Sequence, residues 1–123
     1  MSDRKSILLV CDDELVCRFT EVRLKRLGYR SIAAPTTEAA RLVFKHNSEK
    51  FDLVMVDHTL FDGNGIGLAS ELLDIRPDIP IALYSGVPLT IDDMRGRGIR
   101  AVIPKVLTIN KFDDALEHVF DAA

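Results

Sequence analysis

The 123 residues suffice for one domain, expected to span residues 1–123, and are too few for two; the 47% hydrophobic content supports a real core and excludes a disordered chain. A net charge of −3 with scattered basic residues argues against direct nucleic-acid binding, and no apolar stretch approaches the ~20 residues of a membrane span. The first six residues, Met1-Ser2-Asp3-Arg4-Lys5-Ser6, lack the apolar segment of a signal peptide, so a cytoplasmic protein with Cys11 and Cys17 as free thiols is expected.

Ser6-Ile7-Leu8-Leu9-Val10-Cys11 is a continuous apolar run, the pattern of a strand buried on both faces. Leu15, Phe19 and Val22 then recur at i, i+4 and i+7. This predicts an amphipathic helix with those residues inward, extended by Leu24 and Leu27 and stopped by Gly28. Tyr29 to Ala34 is a more polar strand, expected at a sheet edge and ended by Pro35. Thr36 or Thr37 is placed to cap the next helix, which would bury Ala40, Val43 and Phe44. Phe51 to Val56 is the most apolar strand, terminated by Asp57. Gly63-Asn64-Gly65-Ile66-Gly67 reads as a turn, since its GxGxG spacing does not match a dinucleotide loop. A helix follows with Leu68, Leu72 and Ile75 in register, ending before Pro77. Ile79 to Tyr84 is the fourth strand, and Leu89 to Arg95 is a short helix. Arg100 to Ile103 is the fifth strand, and Asn110 is placed to cap a last helix that buries Phe112, Leu116, Val119 and Phe120.

Strands alternating with helices through short loops predict an α/β protein, a flavodoxin-like doubly wound (βα)5 fold. Its five-stranded parallel sheet would have the order 2-1-3-4-5. The carboxyl ends of all strands then share one edge, with the switch point between strands one and three. Asp12, Asp13 and Asp57 would meet there, with Ser85 and Lys105 following strands four and five. Close carboxylates repel and resist ionising together, so such a cluster calls for a cation. Mg2+ takes oxygen ligands and keeps several waters; Asp13 and Asp57 suit it directly, Asp12 through a water. A carboxylate is also a nucleophile, and Asp57, ending the most buried strand, is the best acceptor for a phosphoryl group. Lys105 would pair with a phosphoryl oxygen and Ser85 would hydrogen-bond another. A plainer reading makes Asp12-Asp13-Glu14 ordinary acids at a helix N-terminus.

With Asp12-Asp13, Asp57, Gly65, Ser85 and Lys105 in this order, the chain resembles a response-regulator receiver domain of bacterial two-component signalling. The resemblance covers essentially the whole chain. It implies that Asp57 is phosphorylated by a sensor histidine kinase or a histidine phosphotransfer protein. It implies that Asp12, Asp13, Asp57 and the Thr59 carbonyl serve Mg2+, that Ser85 and Lys105 sense the phosphoryl group, and that the strand-four and strand-five loops shift for partner binding or phosphorelay. Such a protein is a phosphoacceptor, not an enzyme acting on a separate substrate.

The chain departs from that pattern at three places. Pro104 precedes Lys105 and Val106 follows it, whereas receivers have the proline after the lysine. A cis bond to Val106 would cost roughly 2.5–4 kcal/mol, so this bond is expected to be trans. Val102 stands where receivers carry an aromatic residue, and Leu60-Phe61 replaces a methionine-proline pair. The alternative reading is a receiver-like interaction domain that is never phosphorylated. A small magnesium phosphohydrolase is disfavoured, because its acids would be spaced Asp-x-Asp after strand one and the chain has no room for a cap.

Overall fold

The structure is a computed structural model and describes residues 5–60, 63–87, 89–104 and 109–121. Five strands run parallel: β1 (Ser6–Val10), β2 (Arg30–Ala34), β3 (Leu53–Asp57), β4 (Ile81–Ser85) and β5 (Ala101–Pro104). Their order is β2-β1-β3-β4-β5, as the alternation predicts. Every residue of β3 and β4 is buried, and β2 is largely exposed at the sheet edge. Pro104, which has no N–H to donate, falls on the other edge strand, where a missing donor is tolerated.

Helices α1 (Glu14–Arg26) and α5 (Ile109–Asp121) contribute Cys17, Leu24, Phe112, Leu116 and Val119 to one face of the sheet, against Ile7, Leu9, Met55 and Tyr84. Helices α2 (Thr37–Asn47), α3 (Gly65–Ile75) and α4 (Ile91–Arg95) cover the other face, over Leu8, Val10, Val54, Val56 and Leu83. Two polar clamps set the start of β3. The Asp52 carboxylate accepts from the Ser6 N–H at 2.7 Å. Arg76 donates to the Ser48 and Phe51 carbonyls at 2.7 and 2.6 Å. The central strand is thereby pinned at its amino end, and its register carries Asp57 to the far edge.

Several local expectations change. The inward face of α1 is Cys17, Thr20 and Leu24, while Leu15, Phe19 and Val22 point to solvent. Helix α1 carries two stripes of similar spacing, and the sheet takes the smaller side chains; Thr20 satisfies its hydroxyl on the Val16 carbonyl at 2.8 Å. Ile75 is partly exposed, at 42%, and Ala69 joins Leu68 and Leu72 inside. Thr36 caps α2 by accepting from the Ala39 N–H. Helix α5 begins at Ile109, so Asn110 lies within its first turn and is not its cap.

Candidate functional site

Asp57 closes β3 and is 2% exposed. The β1–β3 ladder aligns Val10 with Val56, which brings Asp57 abreast of Cys11, with Asp12 and Asp13 just beyond. On its other side Asp57 aligns with Tyr84, and the His58 N–H donates to the Tyr84 carbonyl at 3.0 Å. Ser85 follows and aligns in turn with Pro104. The edge therefore collects the Asp12-Asp13 loop, Asp57 and Ser85 at neighbouring strand ends. Lys105, next after Pro104, lies outside the described residues, as do Val106 and Phe61. Thr59 pairs antiparallel with Asn64 in a two-residue ladder directly after Asp57, which keeps its backbone at this edge.

Helix α3 is seated against the peptide that carries Asp57. Asn64 caps it, accepting from the Ile66 and Gly67 N–H groups at 2.7 and 3.2 Å. The Gly65 N–H donates to the His58 carbonyl at 3.1 Å. A Cβ on Gly65 would stand 2.2 Å from the Asp57 carbonyl oxygen and 3.1 Å from the His58 Cα. Only glycine permits that approach. The Asn64 cap was readable from the Asn-Gly pair before an apolar run; the contact behind Gly65 had no sequence signal of its own.

Asp13 also has a structural role at this edge. Asp13 caps α1, its Oδ1 accepting from the Leu15 and Val16 N–H groups at 3.0 and 3.2 Å. Among the described residues no three Asp, Glu, His or Cys side chains are close enough to hold a metal together. Like charges repel, and the positive N-terminus of α1 offers Asp13 a better place. The donor chemistry nonetheless fits Mg2+, which needs only one or two carboxylates beside its waters. Asp57, Asp12 and Asp13 supply such oxygens at one strand edge.

Ser85 is buried and its hydroxyl is engaged locally, donating to the Val87 carbonyl at 2.8 Å and accepting from the Val87 N–H at 3.1 Å. His58 has a buried Nδ1 with no hydrogen-bond partner among the described residues. Beneath the acidic loop, the Cys17 thiol donates to the Cys11 carbonyl at 2.9 Å, and both cysteines are buried and outside any disulfide. Burial, and then the hydrogen bond with Cys11, push the Cys17 thiol well above its usual range.

The receiver domain of HemR from Leptospira biflexa is 33% identical to this chain, with a TM-score of 0.84 over 95% of this chain and 94% of that one. The chain belongs to the response-regulator receiver domains. It is a phosphoacceptor signalling domain. The receiver is also 27% identical to the two-component response regulator ARR22 of Arabidopsis thaliana, over 95% of its own length and 84% of that protein. It is 34% identical to the probable transcriptional regulator ycf27 of Pyropia yezoensis across 82% of its residues, and spans 41% of that longer protein. A chain of the CheX–CheY–BeF3–Mg complex from Borrelia burgdorferi shares the fold, with a TM-score of 0.88 at 21% identity over 94% of this chain and 89% of that one. No family model matches the sequence. Among the described residues no helix is long and apolar enough to cross a membrane.

Proposed function

We propose that Asp57 is the phosphoacceptor of this receiver and that Mg2+ is held beside it by Asp12, Asp13, Asp57 and the Thr59 carbonyl. The observation that carries the assignment is Asp57 itself, a carboxylate 2% exposed at the end of the central strand, where burial of an acid needs a purpose. An Asp57 carboxylate oxygen attacks the phosphorus of a phosphohistidine. The P–N bond breaks, and its electron pair leaves with the donor imidazole, which then takes a proton. Bound magnesium supplies neutralisation of the charge that builds on the phosphoryl oxygens. The Ser85 hydroxyl exchanges its Val87 partner for a phosphoryl oxygen, and Lys105 pairs with another. That exchange frees the turn at Val87 and biases the β4 and β5 loops toward a second arrangement.

The phosphoryl donor is a sensor histidine kinase or a histidine phosphotransfer protein, meeting the receiver over the exposed stripe of Leu15, Phe19 and Val22 beside the site. The likeness to ARR22, a two-component response regulator, supports this class of donor. A cytoplasmic location accords with such a partner, and the protein acts as acceptor without turning over a separate substrate.

Incubation with acetyl phosphate and Mg2+ followed by intact mass measurement tests the reading. The expected result is one added phosphoryl group on the native protein and none on Asp57→Asn. No gain on the native protein would favour an interaction domain that works without phosphorylation.

A further inference from the structure

Tyr84 stands directly beside Asp57. The two are register partners in the parallel β3–β4 ladder, and neighbouring strands lie about 4.8 Å apart. Side chains alternate between the faces of a sheet, so Asp57 shares a face with Met55, two residues before it. Tyr84 is on that same face, in the cluster that holds Met55, Cys11 and Phe112. Cys11 ends the row on the β1 side. Asp57 is therefore flanked by a thiol and a phenol ring, and all three residues are buried.

A second layer fixes the ring. Phe112 of α5 meets Tyr84 edge-on, with ring centroids 6.3 Å apart and planes at 77°. The Arg23 guanidinium of α1 lies over Phe112, 5.1 Å from its ring centroid. Edge-to-face rings attract beyond their buried area, and a cation over a ring adds to this. Tyr84 is thus held by α5 and α1 together as well as by its own strand.

We propose that Tyr84 is a positioning residue for the phosphorylated state: its ring walls the acceptor on the β4 side, fixes the Asp57 carboxyl and keeps water from the acyl phosphate. The inference rests on the reading of Asp57 as the phosphoacceptor and adds what sets the lifetime of the product. Loss of the phosphoryl group is a hydrolysis. A water oxygen attacks phosphorus, the bond from phosphorus to the Asp57 oxygen breaks, and its electron pair returns to the carboxylate. The water gives up its proton, and inorganic phosphate leaves. That reaction needs a water in line with the breaking bond and an acyl phosphate turned to meet it. A fixed aromatic wall opposes both, as closed sites protect reactive intermediates from water. An aliphatic residue in place of Tyr84 would leave a gap beside a carboxyl group, and a roomy gap with polar partners holds water. A purely structural role would affect stability and not the lifetime of the label on molecules that remain folded.

The test labels the protein with acetyl phosphate and Mg2+, removes the donor by rapid desalting, and follows decay of the added phosphoryl mass. Tyr84→Val should shorten the half-life by about fivefold or more, whereas Tyr84→Phe, which keeps the ring, should stay within about twofold of the native protein. Phe112→Leu, which removes the ring that Tyr84 packs against, should shorten it by about two- to threefold and serves if Tyr84→Val fails to fold. Leu24→Ala, in the same core cluster but near the far end of α1 from the Asp13 cap, should lower the melting temperature and leave the half-life unchanged. An unchanged half-life in both Tyr84→Val and Phe112→Leu would overturn the proposal, and so would a loss in Tyr84→Phe as large as in Tyr84→Val. Label on the native protein but not on Asp57→Asn, with a half-life indifferent to Tyr84, would overturn this inference alone. No label on the native protein would overturn the acceptor reading and this inference with it.

Discussion

Gly65 lies so close beneath the backbone of Asp57 that a methyl group on its Cα would sit 2.2 Å from the Asp57 carbonyl oxygen. Gly65 is helical, so the demand is for space and not for unusual torsion. Gly65→Ala should therefore destabilise the receiver by about 1–3 kcal/mol in urea, the cost of forced overpacking. It should also slow acetyl-phosphate labelling, because the peptide that must shift carries the acceptor. Gly67→Ala is the control. Nothing lies within 4 Å of its Cβ position, and removing a glycine from a helix should stabilise by roughly 0.5–1 kcal/mol with labelling unchanged.

The two hydrogen bonds between the Ser85 hydroxyl and Val87 define the resting state of the β4 loop. In Ser85→Ala the Val87 groups fall to water, which Val87 can reach because it is 54% exposed. The stability loss should be about 1 kcal/mol. Mass labelling of Asp57 should persist, whereas the amide shifts of Gly86 and Val87 on adding beryllofluoride and magnesium should disappear. Unaltered shifts in the variant would remove Ser85 from the response.

The Cys17 thiol is held protonated by burial and by its contact with Cys11. Its folded-state value lies above the unfolded one. The stability it contributes is complete below the unfolded thiol value and is lost as pH rises past it. The melting temperature should therefore begin to fall above about pH 8.5. Cys17→Ala should lower the whole curve yet reduce that alkaline slope. An identical slope in the variant would show that other groups set the alkaline limit.

Alternating apolar runs and helical spacings made the sheet order and the shared strand edge legible, because both follow from patterning that every buried strand must obey. The direction of α1 was not legible. Leu15-Phe19-Val22 and Cys17-Thr20-Leu24 have similar spacing, and hydrophobicity favoured the stripe that the structure leaves in water. In the fold Cys17 and Leu24 join the cluster of Met55 and Leu9 and the Thr20 hydroxyl finds a local bond; neither is visible in the residue pattern. The acids were found by position, yet the engagement of Asp13 with the α1 N-terminus came from the plainer of two readings. Gly65 stood out only through resemblance, since its reason is a contact between backbones eight positions apart.

The stripe that the sheet rejected gives the remaining prediction. Leu15 and Phe19 are each 70% exposed and Val22 is 52% exposed, on a helix that starts from the Asp13 cap beside Asp57. Under the proposed function, this exposed apolar stripe is the surface that the phosphoryl donor meets. Phe19→Ser should change stability by no more than about 0.5 kcal/mol, since little packing is lost. It should slow phosphoryl transfer from a histidine phosphotransfer protein by tenfold or more, as truncation of an aromatic anchor does, while leaving labelling by acetyl phosphate intact. Leu24→Ala, on the buried face of the same helix, should behave oppositely. It should cost about 2–5 kcal/mol and impair both donors in proportion to the folded fraction. Parallel losses with both donors in Phe19→Ser would show that the stripe acts through the site and not through docking.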